Sequence, residues 1–117
     1  MRVLFDNGTP RGVAAALRDH SVDEARLRGW DTLRNGELLD AAEAAGFDVF
    51  LTTDRNIRLQ QNLSGRKIAV VVLGKGRWRL IKRRLAAIAA AVAGATPGSF
   101  VEVDIPIDPP IGPASAG

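Results

Sequence analysis

The chain has 117 residues, 46% of them hydrophobic and 25% charged, which fits one globular domain and is too short for two. Cysteine is absent and histidine occurs once, at His20, so disulfides, thiolate metal sites, iron–sulfur clusters and multi-histidine zinc sites are excluded. The net charge of +3 conceals a segregation: residues 1–54 hold six arginines against ten acids, 55–101 hold ten Lys/Arg and no acid, and 102–117 carry three acids and no base.

An acid-rich half beside a purely basic segment suits an enzyme that holds a cation in one place and a polyanion next to it. No apolar run approaches the ~18 residues that span a bilayer, so no membrane partner is expected. Asp6 stands where a secretory signal would continue its apolar region, and the expected location is the cytoplasm.

Arg2–Phe5 reads as a short buried strand ending at Asp6. Asn7-Gly8 turns the chain, and Thr9 with Pro10 predicts an N-cap and first helical position for a helix reaching about Asp19, with Val13, Ala14 and Leu17 as its apolar stripe. Residues 21–28 predict a weak strand. Asn35 is the predicted cap of a second helix that carries Leu38, Leu39, Ala42 and Ala45 inward and closes at Gly46. Residues 47–53 predict a buried strand that ends at Asp54, as the first ended at Asp6. A helical turn over 57–62 follows, then the most hydrophobic strand, over 68–73, and a loop at 74–77. Ile81, Leu85, Ile88 and Val92 lie on one face of a third long helix. A last short strand spans Phe100–Val103. Residues 1–104 form the predicted domain. The remainder, 105–117, is rich in proline and glycine and is expected to be a disordered tail. Strands alternating with helices define an α/β sandwich with a mostly parallel sheet, whose right-handed crossovers leave the strand ends on one ligand-binding edge.

Asp6 and Asp54 then share that edge, where two carboxylates repel and a divalent cation with oxygen ligands would relieve them. Glu37, in the first turn of the helix leading to the Asp54 strand, is the candidate third acid, and Asp40 lies on its face. Taken singly, each has an ordinary explanation: Asp6 as a turn former, Asp54 as a helix cap, Glu37 as a favourable charge at a helix start. Asn7 and Asn56 could add neutral oxygens. Lys75, Arg77 and Arg79, with Trp78 among them, suit a nucleic-acid strand, cations holding phosphates and the indole stacking a base; Trp78 serves equally as a core plug. His20 and Trp30 are assigned no chemistry.

These residues resemble the short bacterial branch of the PIN-like nuclease superfamily. The likeness rests on Asp6-Asn7-Gly8-Thr9-Pro10, Asn35-Gly36-Glu37-Leu38-Leu39, Thr52-Thr53-Asp54-Arg55-Asn56 and Gln60-Gln61-Asn62, in that order over roughly residues 1–104. It implies a three-layer α/β/α sandwich around a four- to five-stranded sheet and an acidic cluster of Asp6, Glu37 and Asp54 binding Mg²⁺ or Mn²⁺. It also implies endoribonuclease activity as the toxin of a toxin–antitoxin pair, with RNA, an antitoxin protein and a second copy of the chain as partners. Many such proteins carry a second acid where this chain has Asn56. The alternative is therefore a catalytically weak or inactive module of the same fold that binds RNA or a partner protein. A phosphoacceptor receiver-like domain is a more distant reading: it normally needs paired acids after its first strand, where Asp6 is followed by Asn7, and a lysine closing its last.

Overall fold

A computed structural model of the chain describes residues 1–57, 63, 65–74 and 78–105. Five strands, β1 (Arg2–Phe5), β2 (Ser21–Glu24), β3 (Val49–Thr52), β4 (Ala69–Leu73) and β5 (Phe100–Val103), form one all-parallel sheet in the order β2-β1-β3-β4-β5. The helices are α1 (Asn35–Ala44), the short α2 (Trp78–Ile81) and α3 (Leu85–Ala93), with 3-10 helices at Arg11–Ala16, Ala25–Arg28 and Lys82–Arg84. Strands β3 and β4 are buried along their whole length, as β-branched and aromatic runs covered on both sides must be.

Side-chain alternation sorts the core into two layers. Val3, Phe5, Leu51, Val71 and Leu73 meet Val13, Leu17, Ile88 and Val92 on one face. Leu4, Phe50, Val70 and Val72 meet Leu38, Leu39 and Ala42 of α1, together with Ile57 and Leu63, on the other. The sheet is thus sandwiched between helical layers, as the strand–helix alternation predicts.

Three local expectations are corrected. The helix predicted to run from Pro10 to about Asp19 is only the 3-10 helix Arg11–Ala16, capped by the Pro10 backbone with no side-chain bond. Gly12 weakens this segment as an α-helix, and Thr9, the predicted cap, turns its hydroxyl to Asp6 and to the Leu51 carbonyl instead. The N-cap of α1 is Arg34 rather than Asn35, and the Glu37 carboxylate accepts the Arg34 backbone N–H (3.3 Å). The predicted third helix is broken by the 3-10 turn Lys82–Arg84, where adjacent cations find no acid four residues away to pair with.

The close of α1 follows the expectation: Gly46 sits at φ +85, and the N–H groups of Gly46 and Phe47 bond the Glu43 and Ala42 carbonyls, a Schellman closure. Phe47 is used in that closure, so β3 starts two residues later than the predicted 47–53. Ile105, assigned to the tail by sequence, is 4% exposed and packs in the core. Residues 106–117 lie outside the described residues.

The connections do not all share one hand. The chain steps from β1 to β2 across the layer holding Val13 and Leu17, and from β4 to β5 across the same layer, where Ile88 and Val92 lie, yet the two steps run in opposite directions along the sheet. The connections β2 to β3 and β3 to β4 step the second way but use the α1 layer. Three connections therefore have one hand and β4 to β5 the other, against the expectation of uniformly right-handed crossovers. Among the described residues, no helix is long and apolar enough to cross a membrane.

Candidate functional site

The chain leaves β1 toward one layer and β3 toward the other, although the two strands are hydrogen-bonded neighbours. This divergence is a topological switch point, the place where open α/β sheets bind ligands beyond the C-terminal ends of their strands. Asp6 follows β1 directly, and its N–H continues the ladder to the Leu51 carbonyl (3.1 Å). That register brings its side chain beside Thr52, the last residue of β3.

Thr52 is fully buried. Its hydroxyl donates to Asp6 Oδ2 and accepts the backbone N–H of Asp54 (3.0 Å), so one side chain ties the two strand-end aspartates together. Asp6 Oδ1 accepts the Thr9 hydroxyl (2.6 Å) and the Gly8 N–H (3.1 Å). Thr9 is itself buried and lies 3.0 Å from the Leu51 carbonyl. Asp54 Oδ1 accepts the Asn56 N–H (3.0 Å). Each aspartate thus closes the same Asx turn over the residue two ahead, the ordinary role that the sequence allowed for Asp6.

The remaining acids lie apart. Glu37 caps α1 at Arg34. Asp40 is 3.0 Å from Arg66, which also pairs with Glu43. Among the described residues, no three Asp, Glu or His side chains are grouped as metal ligands would be; Thr52 links the Asp6 carboxylate to the backbone of Asp54, and Glu37 has no part in that link. The donor chemistry of that pair still suits a hard divalent ion. A carboxylate has about four acceptor positions, so the hydrogen bonds from Gly8, Thr9 and Thr52 leave capacity on Asp6, and Mg²⁺ commonly takes one or two carboxylates with water and phosphate oxygens completing its shell. Asn7 turns its amide to the Asp31 carbonyl (3.3 Å). Asn56 is exposed.

On the basic side, Lys75 and Arg77 lie outside the described residues, as do Gln60, Gln61 and Asn62. Trp78 opens α2 at 40% exposure, neither plugged into the core nor free of it. Its six-membered ring presses on Gly12: a Cβ there would stand 2.3 Å from Cη2. This contact fixes the start of the basic helical segment against the 3-10 helix that follows the Asp6 loop. Arg79, Lys82, Arg83 and Arg84 are exposed along the segment, and Arg84 Nε donates to the Asp104 carbonyl (3.3 Å). Arg55, next to Asp54, pairs with Glu102 of β5 (3.3 Å).

The sequence reading made Thr9 a helix cap and Thr52 one residue of a motif, and gave neither a bond to Asp6. The available signal was a hydroxyl at a buried position: Thr52 falls on the same sheet face as Phe50, two residues after it, in a strand otherwise apolar. No family model matches the chain, and no curated protein or solved structure does either.

Proposed function

We propose that the chain is an Mg²⁺- or Mn²⁺-dependent endoribonuclease, working as the toxin of a toxin–antitoxin pair. The observation that carries the reading is the junction of Asp6 and Asp54 through Thr52 at the point where the chain leaves neighbouring strands toward opposite layers. The acid-free basic segment beside it, whose helix start is fixed by Trp78 on Gly12, supports a polyanionic substrate.

Asp6 and Asp54 would hold the ion, which when bound lowers the pKa of its water and offsets charge on the scissile phosphate. Thr9 and Thr52 keep Asp6 oriented through the hydrogen bonds their hydroxyls donate to its two oxygens. Arg79 and Lys82, with Lys75 and Arg77 preceding them, hold the RNA backbone; Trp78, partly exposed among them, offers a stacking surface. Glu37 keeps its place as the candidate third ligand only through a change at its α1 cap, and Asn56 leaves the site one charge poorer. These two features favour the second reading, a module that binds RNA or a partner protein without turnover. Incubating a labelled single-stranded RNA with the protein in Mn²⁺ and in EDTA separates them: metal-dependent internal cleavage is expected, and binding without cleavage in Mn²⁺ would leave the second reading.

A further inference from the structure

Strand β2 is an edge of the sheet. Against it, between the 3-10 helices Arg11–Ala16 and Ala25–Arg28, opens a cleft of about 320 Å³. This lies at the low end of the ~300–1,000 Å³ typical of small-ligand sites and suits a single planar ring system. Phe5, Ala14 and Val22 give it apolar surface, and Leu27, 70% exposed, stands at its rim. Two ion pairs belong to its lining, Arg11 Nε to Glu24 Oε1 at 3.1 Å and Arg28 to Asp23 at 3.2 Å. Among the described residues, neither Glu24 Oε2 nor the terminal amines of Arg11 have a hydrogen-bond partner, so donors and a carboxylate oxygen remain available side by side.

The complement of that edge is a flat ring carrying one acceptor next to two donors. Guanine presents it: O6 for the arginine, N1–H and the N2 amine for the carboxylate. Adenine, cytosine and uracil each set one donor beside an acceptor, so each can meet Arg11 and one oxygen of Glu24 but offers the carboxylate no second donor. We infer that this cleft is a guanine-binding subsite in which Glu24 and Arg11 read the base and the apolar lining holds its ring. The inference rests on the nuclease reading for the source of the base. Phe5 directly precedes Asp6, and alternate residues face opposite layers, so the cleft and the Asp6 side chain lie on opposite faces at one edge of the sheet. RNA laid across that edge would place the base of a nucleotide near the cut in the cleft. A free guanine nucleotide would use the same contacts.

The test is calorimetric titration of the wild-type protein with 5′-GMP, IMP, AMP, CMP and UMP, and with short single-stranded RNAs carrying guanosine or inosine at one position. GMP is expected to bind at least tenfold tighter than AMP, CMP and UMP, with IMP, which lacks only the N2 amine, in between. Glu24→Gln, confirmed folded by its melting curve, is expected to bring the nucleotides within about twofold of one another. Equal affinity of the wild type for all five, or binding of none together with no preference for guanosine over inosine in RNA, overturns the subsite; the wild-type series decides even where the variant does not fold. A preference confined to free GMP supports the site and assigns it to a nucleotide. Guanine preference without Mn²⁺-dependent cleavage keeps the cleft and removes the nuclease, and cleavage without guanine preference does the reverse.

Discussion

Like-charge repulsion alone would make neutralising Asp6 stabilising, since it shares an edge with Asp54. Its surroundings reverse the sign. Asp6 accepts from Gly8, Thr9 and Thr52, and an asparagine has one oxygen for those donors and an NH₂ that meets the rest. Asp6→Asn is therefore expected to abolish Mn²⁺-dependent cleavage and to cost about 1–3 kcal/mol in urea unfolding. Asp54→Asn keeps an acceptor for the Asn56 N–H and should abolish cleavage. A wild-type cleavage rate in either variant removes that residue from the mechanism. Thr52→Val deletes the hydroxyl that serves both aspartates. It should weaken Mn²⁺ binding roughly tenfold, of the order seen when a hydrogen-bond partner of a metal ligand is lost, and Thr52→Ser should restore it. If Thr52→Val binds Mn²⁺ as the wild type does, the threonine is purely structural. The aspartates were legible because a strand's C-terminal end is a local feature and topology does the rest. The threonines were not, because their roles depend on register between β1 and β3.

At the scale of elements, what is written within a few residues was readable and what depends on distant neighbours was not. Gly46 announced the end of α1, and the runs over 68–73 and 100–103 announced their strands. The 3-10 winding of Arg11–Ala16 depends on Thr9 being drawn away to Asp6 and Leu51 and on Trp78 lying over Gly12, contacts up to 66 residues apart in the chain. Gly12→Ala tests that contact. Greater helix propensity would add up to ~1 kcal/mol, but the new Cβ meets the indole at 2.3 Å, and overpacking of this kind costs about 1–3 kcal/mol. Net destabilisation is expected, with Trp78 displaced and the tryptophan emission shifted to the red; an unchanged spectrum with raised stability would show the ring moves aside freely. The basic segment makes its own prediction. RNA affinity should fall steeply with salt, and Lys75→Ala with Arg77→Ala should reduce the log–log slope by about two units at most while weakening all sequences alike. RNA binding independent of salt, or absent while an acidic peptide binds, would make the segment a protein interface.

For the whole molecule, segregated charge foretold a division of labour between an acidic half and a basic segment, but not the ion pairs that stitch the three charge segments together. Arg55 reaches Glu102, and Arg66 reaches Asp40 and Glu43. Nor did it foretell the reversed hand of the β4 to β5 connection, since that depends on which layer the last helices join. The C-terminal boundary shows the same limit at a single residue. Four prolines and two glycines from position 106 onward leave no apolar periodicity with which to build a core, and Ile105 looked like part of that segment. In the fold it is buried, its backbone and side chain closing over Gly74 at the end of β4. Removing residues 106–117 should therefore shift the melting temperature by no more than about a degree, whereas Ile105→Ala in the full chain should cost about 2–4 kcal/mol through lost burial and the cavity left beside Gly74. Urea unfolding of the two proteins side by side checks both halves of this expectation. A large loss on truncation after Ile105 would place a structural segment beyond that residue, and a negligible loss for Ile105→Ala would move the end of the domain back to Val103.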